Sequence, residues 1–384
     1  MKDQADNRVK YPRRVFIRGG MRTLGKVLLA LFARVEINSR ERLPTKGPMI
    51  LAGNHAAVLE AVMMAVYNPG LVEFIGNGDI PFDPNYAFIV NAYDLIPVNR
   101  GNLDRKGLQK AASVLEQGGI LGIFPEGGVW QAGQMPAQIG AAWLSYRTQA
   151  PVLPIGFGGI RGGLGQALKL KRPKLVMNVG EVLPPVTLDE NETSMKASLA
   201  KSADLILEKI NALVPPEDLC QAHMKADQRY ILEVEVHQGG LFTSSPPPEP
   251  LQVTHGDAYA HFLYNPTMID VLVRNLRLPL HPLMQVDHEF RLGPVIAAWD
   301  AILAYLKDNP GFFTYRFGVD EGLAVEQSLQ ELRRLAVWAQ ENQTALSLTP
   351  IHTYRNANTG AQVTEQGGRF PSNMPMPAKG VKLQ

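Results

Sequence analysis

The sequence predicts an α/β protein, and three observations carry that reading. Between residues 49 and 213, short apolar runs of strand character alternate with segments whose apolar residues recur at helical spacing. At 384 residues and 45% hydrophobic content, the chain can build one large core or two medium ones. Its one cysteine, Cys220, excludes an intramolecular disulfide and fits a reducing compartment, and no Cys/His cluster has zinc spacing.

Residues 1–42 hold 11 Lys/Arg against 4 Asp/Glu, so this segment is strongly basic in a chain whose net charge is only +2. Within it, Leu24, Val27, Leu28, Leu31 and Phe32 recur at helical spacing among Arg22, Lys26 and Arg34, which predicts an amphipathic helix over Met21 to Val35. The apolar run falls short of the ~20 residues of a membrane span, and Lys26 interrupts it, so a transmembrane helix and a signal peptide are both set aside. The expectation is peripheral docking on an anionic membrane surface at the cytoplasmic face, at about 1 kcal/mol per basic residue near it. An ordinary packed helix is the alternative. Gly20 to Val27 nearly spells a phosphate-binding loop, but Val27 stands where the hydroxyl residue belongs. No Gly-x-Ser-x-Gly elbow occurs, which argues against the common α/β serine hydrolase.

Met49 to Ala52 reads as a buried strand, Gly53 and Asn54 break it, and Ala57 to Tyr67 resumes as a helix. Residues five apart on a regular helix lie about 140° apart, so His55 can meet Glu60 only from the turn. There the carboxylate can hold the imidazole in one tautomer, as a general base requires. The spacing alone is weak, since eight His and 36 acidic residues give roughly one such pair by chance. A histidine beside a helix start with no chemistry is the competing reading.

Leu71 to Ile75 is a strand and Gly76 to Pro84 a loop. Leu95 to Val98 leads into Asn99-Arg100-Gly101, where a guanidinium at a strand end can meet a phosphate or carboxylate, or simply pair with Asp104. Asp104 to Gln117 is an amphipathic helix stopped by Gly118-Gly119. Ile120 to Phe124 then runs into Pro125-Glu126-Gly127-Gly128, at the carboxyl end of a strand, where open α/β sheets bind ligands. A helix at Ala137 to Arg147, strands at Pro151 to Phe157 and Leu175 to Gly180, and a helix at Ser194 to Leu213 follow, and Pro215-Pro216 close the domain.

Beyond residue 225, Tyr230 to Val236 alternates as a half-exposed strand, and a Gly/Ser/Pro-rich stretch from Gly239 to Pro248 reads as a linker. Helical segments are expected around Ala258 to Arg277, Pro294 to Lys307 and Leu323 to Gln340, the last with Leu329, Leu332, Leu335 and Ala336 on one side. His255, His261, His281 and His288 lack the i,i+4 spacing of a helical metal site, so no metal is expected. The tail from Asn356, rich in Gly, Asn, Pro and Met, reads as disordered.

Four blocks occur in one order: Asn54-His55-(four residues)-Glu60, Val98-Asn99-Arg100-Gly101, Phe124-Pro125-Glu126-Gly127 and Pro151-Val152-Leu153-Pro154. Over roughly residues 20–215 this resembles the glycerolipid acyltransferase family of the lysophosphatidic acid acyltransferase type. The resemblance implies a mixed sheet flanked by helices and transfer of a fatty acyl group from acyl-CoA or acyl-carrier protein to a hydroxyl of a lysophospholipid or related lipid. No cofactor and no nucleic acid are implied. By matching position, His55 and Glu60 are the catalytic pair, Arg100, Gly101, Glu126 and Gly127 bind the acceptor, and Pro151 and Pro154 shape the acyl side. The chain is thereby divided into a basic membrane-binding segment at 1–42, an acyltransferase domain at 43–216, a mainly helical region of unknown role at 225–355 and a disordered tail at 356–384.

Three positions depart from the family pattern. Glu60 replaces the usual aspartate, Gly128 and Val129 replace a hydroxyl residue and an arginine, and Asn77 stands near a usual lysine. Fewer cations then face a phosphomonoester, so a lysolipid with a masked phosphate, a glycolipid or another lipid alcohol is the expected acceptor. A lipid-binding or scaffold protein that has lost catalysis, and a thioesterase using the same base, are the alternatives.

Overall fold

The computed structural model describes residues 8–78, 84–99, 104–129, 132–133, 135–189, 191–220, 225–237, 244–278, 292–357 and 359–367. Its contacts divide the chain into two compact units. The first holds Met1–Gly78, Ala87–Asn99 and Leu103–Cys220, and the second takes the rest, chiefly Gln221–Gln384.

The first unit is built on a seven-stranded sheet of β1 (Arg34–Asn38), β2 (Met49–Gly53), β3 (Val72–Asn77), β4 (Ile96–Val98), β5 (Ile120–Ile123), β6 (Val152–Gly158) and β7 (Lys174–Val179). The strand order is β1-β7-β6-β2-β5-β3-β4. Only β6 and β7 pair antiparallel, so the sheet is mixed but mainly parallel, as the sequence predicts. Its helices are α1 (Val15–Phe32), α2 (Leu59–Tyr67), α3 (Pro84–Tyr93), α4 (Arg105–Glu116), α5 (Gly140–Thr148), α6 (Gly163–Leu168) and α7 (Met195–Asn211).

Central strands of a parallel sheet are covered on both faces, which requires continuous apolar runs instead of alternation. β2 meets this with consecutive residues that point to opposite sides. Leu51 joins one cluster with Leu29, Met63, Met64 and Phe157, while Ile50 and Ala52 join another with Ala111, Leu115, Leu144 and Ile206. Both clusters draw only on residues before Val214. Two helix starts follow from capping side chains: Asp104 accepts from Gly107 N, and Ser194 from Ala197 N.

The N-terminal segment departs from expectation. The helix begins earlier, at Val15, and Val35 lies in β1, whose residues pair in parallel with β7. The first compact unit therefore takes in β1, before residue 43, as one of its sheet strands, and it extends through Cys220, whose N–H donates to Ala132 O at 2.7 Å. The arginines expected to face a membrane turn inward. Glu73 on β3 is fully buried, and an ionised carboxylate there needs counter-charge. Arg18, itself 2% exposed, forms a bidentate pair with Glu73 and stacks 4.6 Å above the Tyr93 ring. Arg13 adds a second cation to Glu73 at 3.0 Å and reaches Asp94, Arg14 also pairs with Asp94, and Arg22 donates to Val66 O and Pro69 O. What α1 leaves exposed is apolar: Phe16 at 96%, with Leu24, Val27, Leu28 and Leu31. Among the described residues no helix is long and apolar enough to cross a membrane.

The second unit carries an antiparallel sheet in the order β11-β10-β8-β9, from β8 (Lys225–His237), β9 (Ser244–Ser245), β10 (Ala345–Asn356) and β11 (Gln362–Gln366). Its helices are α8 (Gly256–Leu263), α9 (Pro266–Asn275), α10 (Leu292–Asp308), α11 (Gly311–Phe317) and α12 (Val319–Glu341). Leu329, Leu332, Leu335 and Ala336 of α12 are fully buried, as their spacing predicts. The disordered tail expected from Asn356 is corrected in part: β10 continues to Asn356 and β11 pairs back on it, Thr353 opposite Thr364. Composition hid this strand, because Gln362, Thr364 and Gln366 face solvent on a sheet edge. Residues 368–384 of that expected tail lie outside the described residues.

Candidate active site

Parallel strands end on one side of the sheet, and the loops that follow them converge there. β6, β2 and β5 are adjacent, so the turns after Gly158, Gly53 and Ile123 are neighbours in space. The middle turn holds His55. A Cβ on Gly53 would lie 2.8 Å from the Phe157 ring, so only glycine lets β2 end this close to β6.

Asn54 fastens the turn. Its side chain donates to Phe157 O at 3.1 Å and accepts from Phe157 N at 2.7 Å, replacing a backbone rung where the strand stops. His55 then points back toward α2. Its Nδ1 lies 2.6 Å from Glu60 Oε1, which also accepts from Ala57 N at 2.8 Å. Glu60 is fully buried, and its Oε2 has no hydrogen-bond partner among the described residues. The imidazole stacks on Phe124 with ring centroids 4.2 Å apart. The longer glutamate side chain thus reaches the imidazole from the first turn of α2.

Glu126 follows β5 in a turn closed by Gly127 N donating to Phe124 O at 3.0 Å, with Gly127 at φ 69°, a conformation glycine adopts without strain. Its carboxylate is fully buried. Oε2 accepts from the backbone N–H of His55 at 3.1 Å and Oε1 from that of Gly133 at 3.2 Å. Burial pushes this carboxyl up to about 7, against the pull of the His55 and Gly133 amides, with the Glu60 charge adding to the rise. The oxygens of Glu126, expected to bind the acceptor, hold two backbone amides and tie the β5 turn to the His55 turn.

Of the other expected site residues, Pro151 and Pro154 lie in and beside β6. Pro151 O accepts from Ile50 N at 3.0 Å and Pro154 O from Gly180 N at 2.9 Å, so both carbonyls register β6 against its neighbours. Arg100 and Gly101 lie outside the described residues. The other histidines sit in the second unit, where His255 Nδ1 is 2.9 Å from Glu331 and His261 pairs with Glu321, while His281 and His288 lie outside the described residues. Among the described residues no group of His, Cys, Asp and Glu could hold a metal ion.

One feature of the site was not expected. A pocket of about 210 Å³ is lined by Asn54, Ala56, Phe157, Ile160, Arg161, Glu217 and Asp218, on the β6 side of the His55 turn. The glycine-rich run Gly158-Gly159-Ile160-Arg161-Gly162 at a strand end was its sequence signal.

Residues 34–158 match the family described as Acyltransferase. Over 189 residues the chain is 23% identical to the 1-acyl-sn-glycerol-3-phosphate acyltransferase of Bacillus subtilis (strain 168), covering 49% of this chain and 92% of that protein. Among solved structures, the 1-acyl-sn-glycerophosphate (LPA) acyltransferase PlsC from Thermotoga maritima is similar at 20% identity, covering 50% of this chain and 77% of that one, with a TM-score of 0.36. The α/β sheet and the family match define an acyltransferase. Across this domain the chain is similar to the glycerolipid acyltransferases of the lysophosphatidic acid acyltransferase type.

Proposed function

We propose that this acyltransferase works at a membrane surface and moves a fatty acyl group from acyl-CoA or acyl-carrier protein to a hydroxyl of a lysophospholipid or related lipid, with His55 as general base. The observation that carries this is the 2.6 Å contact between His55 Nδ1 and Glu60 Oε1 at the carboxyl end of β2. With Nδ1–H donating to Glu60, Nε2 is left as the acceptor for a proton. It takes the proton of the attacking hydroxyl as that oxygen bonds to the thioester carbonyl carbon. Collapse of the tetrahedral intermediate breaks the C–S bond, and the thiolate recovers the proton from Nε2. Glu60 offsets the positive charge that the imidazole carries meanwhile, and general base catalysis of this kind is worth about 10²–10⁴-fold.

Membrane action rests on the apolar face of α1. Phe16, Leu24, Val27, Leu28 and Leu31 stay exposed while Arg18 and Arg22 are consumed inside the unit, so the attraction is by burial in the interfacial region more than by charge. An acyl-CoA assay with and without lysolipid tests the reading. Turnover that depends on the acceptor supports transfer, thiol release without acceptor would point to hydrolysis, and neither would leave only a binding protein.

A further inference from the structure

The pocket beside the His55 turn is polar and of mixed charge. Asn54 and Ala56 flank His55 in the chain, so the pocket opens within one residue of the base on either side. Its apolar wall, Phe157 and Ile160, is small, and the remainder is one guanidinium and two carboxylates, a net charge of −1. Such a lining suits a headgroup, not an acyl chain.

The charged groups reach it from two places. Arg161 follows the carboxyl end of β6, exposed, with no ion pair or hydrogen bond to any described residue. Glu217 and Asp218 arrive from the turn after α7, which Asp218 pins to the end of β6 by accepting from Gly159 N at 2.8 Å. That bond uses Oδ2 alone, and the Glu217 carboxylate takes part in no ion pair with a described residue. The arrangement keeps a cation and two anions side by side without neutralising one another.

A phosphomonoester carries close to two negative charges at neutral pH, and here it would meet two carboxylates for one guanidinium. A phosphodiester with a terminal ammonium fits both signs: its phosphate oxygens accept from Arg161 while the ammonium donates to Glu217 and the outer oxygen of Asp218. Resting on the acyl-transfer reading above, we infer that the acceptor is a zwitterionic lysophospholipid of the phosphoethanolamine class, its headgroup seated between Arg161 and Glu217/Asp218.

The test begins with binding, which needs no turnover. The full-length protein is titrated calorimetrically with glycerophosphoethanolamine, glycerophosphoglycerol and glycerol 3-phosphate. The ethanolamine compound should bind at least tenfold more tightly than either of the others, and Arg161→Gln should weaken it by roughly tenfold, as loss of a charge-assisted contact does. Glu217→Gln, an exposed position whose change leaves the fold alone, should erase the preference for ethanolamine over glycerol. In the acyl-CoA assay, the kcat/KM ratio of lysophosphatidylethanolamine to lysophosphatidylglycerol should fall by about the same factor in Glu217→Gln. Tighter binding of glycerol 3-phosphate, an unchanged ratio in Glu217→Gln, or no binding of any headgroup overturns the assignment. Selective binding that depends on Glu217 in a protein that acylates nothing would instead uphold the headgroup site and sink the enzymatic reading.

Discussion

His55 Nδ1 lies 2.6 Å from Glu60 Oε1, although Glu60 is one methylene longer than the family's usual aspartate. The turn absorbs the difference: Ala57 N donates to the same oxygen, so carboxylate, turn and imidazole form one closed ring of contacts. His55→Ala should reduce acyl transfer to the background of the assay while thermal melting stays within a degree or two of the parent. Glu60→Gln should be damaging but less so, acting on kcat more than on KM. A His55→Ala protein that keeps more than a few per cent of the parent rate would remove the residue as base.

Glu126 gives stability a pH dependence with a defined sign. Burial pushes its carboxyl up to about 7 in the fold from an ordinary 4.5, so the folded state holds the proton through that interval and the unfolded state does not. Stability from this group is greatest below about 4.5, declines as pH rises toward 7, and is level above it. Glu126→Gln removes the titration, so the difference in melting temperature between parent and variant should change steadily across that window and nowhere else. A pH-independent difference would show that Glu126 does not titrate there.

Burial of Glu73 makes Arg18 a structural residue. Arg18→Met leaves a buried carboxylate with one counter-charge, Arg13, in place of two, and removing one partner of such a group typically costs about 3–5 kcal/mol. Urea denaturation should register a loss toward the lower end of that range, since Arg13 remains. Loss below about 0.5 kcal/mol, the level of an ordinary surface change, would contradict the pairing.

Membrane association should respond to apolar changes on α1. Phe16→Ser with Leu31→Ser removes two exposed side chains, each worth about 1.5–3 kcal/mol if fully buried in the interface. Sedimentation with liposomes should fall sharply in this variant and change little between low and moderate salt in the parent. Binding that persists in the variant and disappears with salt would return the attraction to the basic residues.

Both core clusters of the first unit end before Val214, so a chain truncated after Cys220 should fold and keep measurable transfer activity. A folded but inactive truncation would place part of the chemistry in the second unit.

Much of the first unit was legible because β2, β5 and β6 are buried on both faces and two of its helices open on a capping side chain. Ile120 to Ile123 has no polar residue to blur it, and Asp104 and Ser194 announce their helices. The His55 turn was legible because two incompatible periodicities meet there. The destinations of Arg13 and Arg18 were not, since their partner Glu73 is some 60 residues away and reads locally as an exposed strand residue. Nor was the role of Glu126: spacing places a carboxylate at a strand end, but only the fold reveals that the Gly133 amide closes over it. α3 was missed for its start in a Gly- and Pro-rich stretch, and β11 for its polar edge.

The Arg18–Glu73 pair has a mechanical consequence. A membrane anchor is often a tether that can be clipped or swung aside without harm to the catalytic body. Here the helix that presents Phe16 and Leu31 is bolted through its guanidinium to a strand of the same sheet that carries His55 at its rim. The plane in which α1 can lie against lipid is thereby fixed relative to the base, as a keel fixes the trim of a hull. If α1 docks on lipid as proposed, pulling it out of register would mean exposing a buried charge, and the depth at which the site meets the bilayer would be inherited from the folded core.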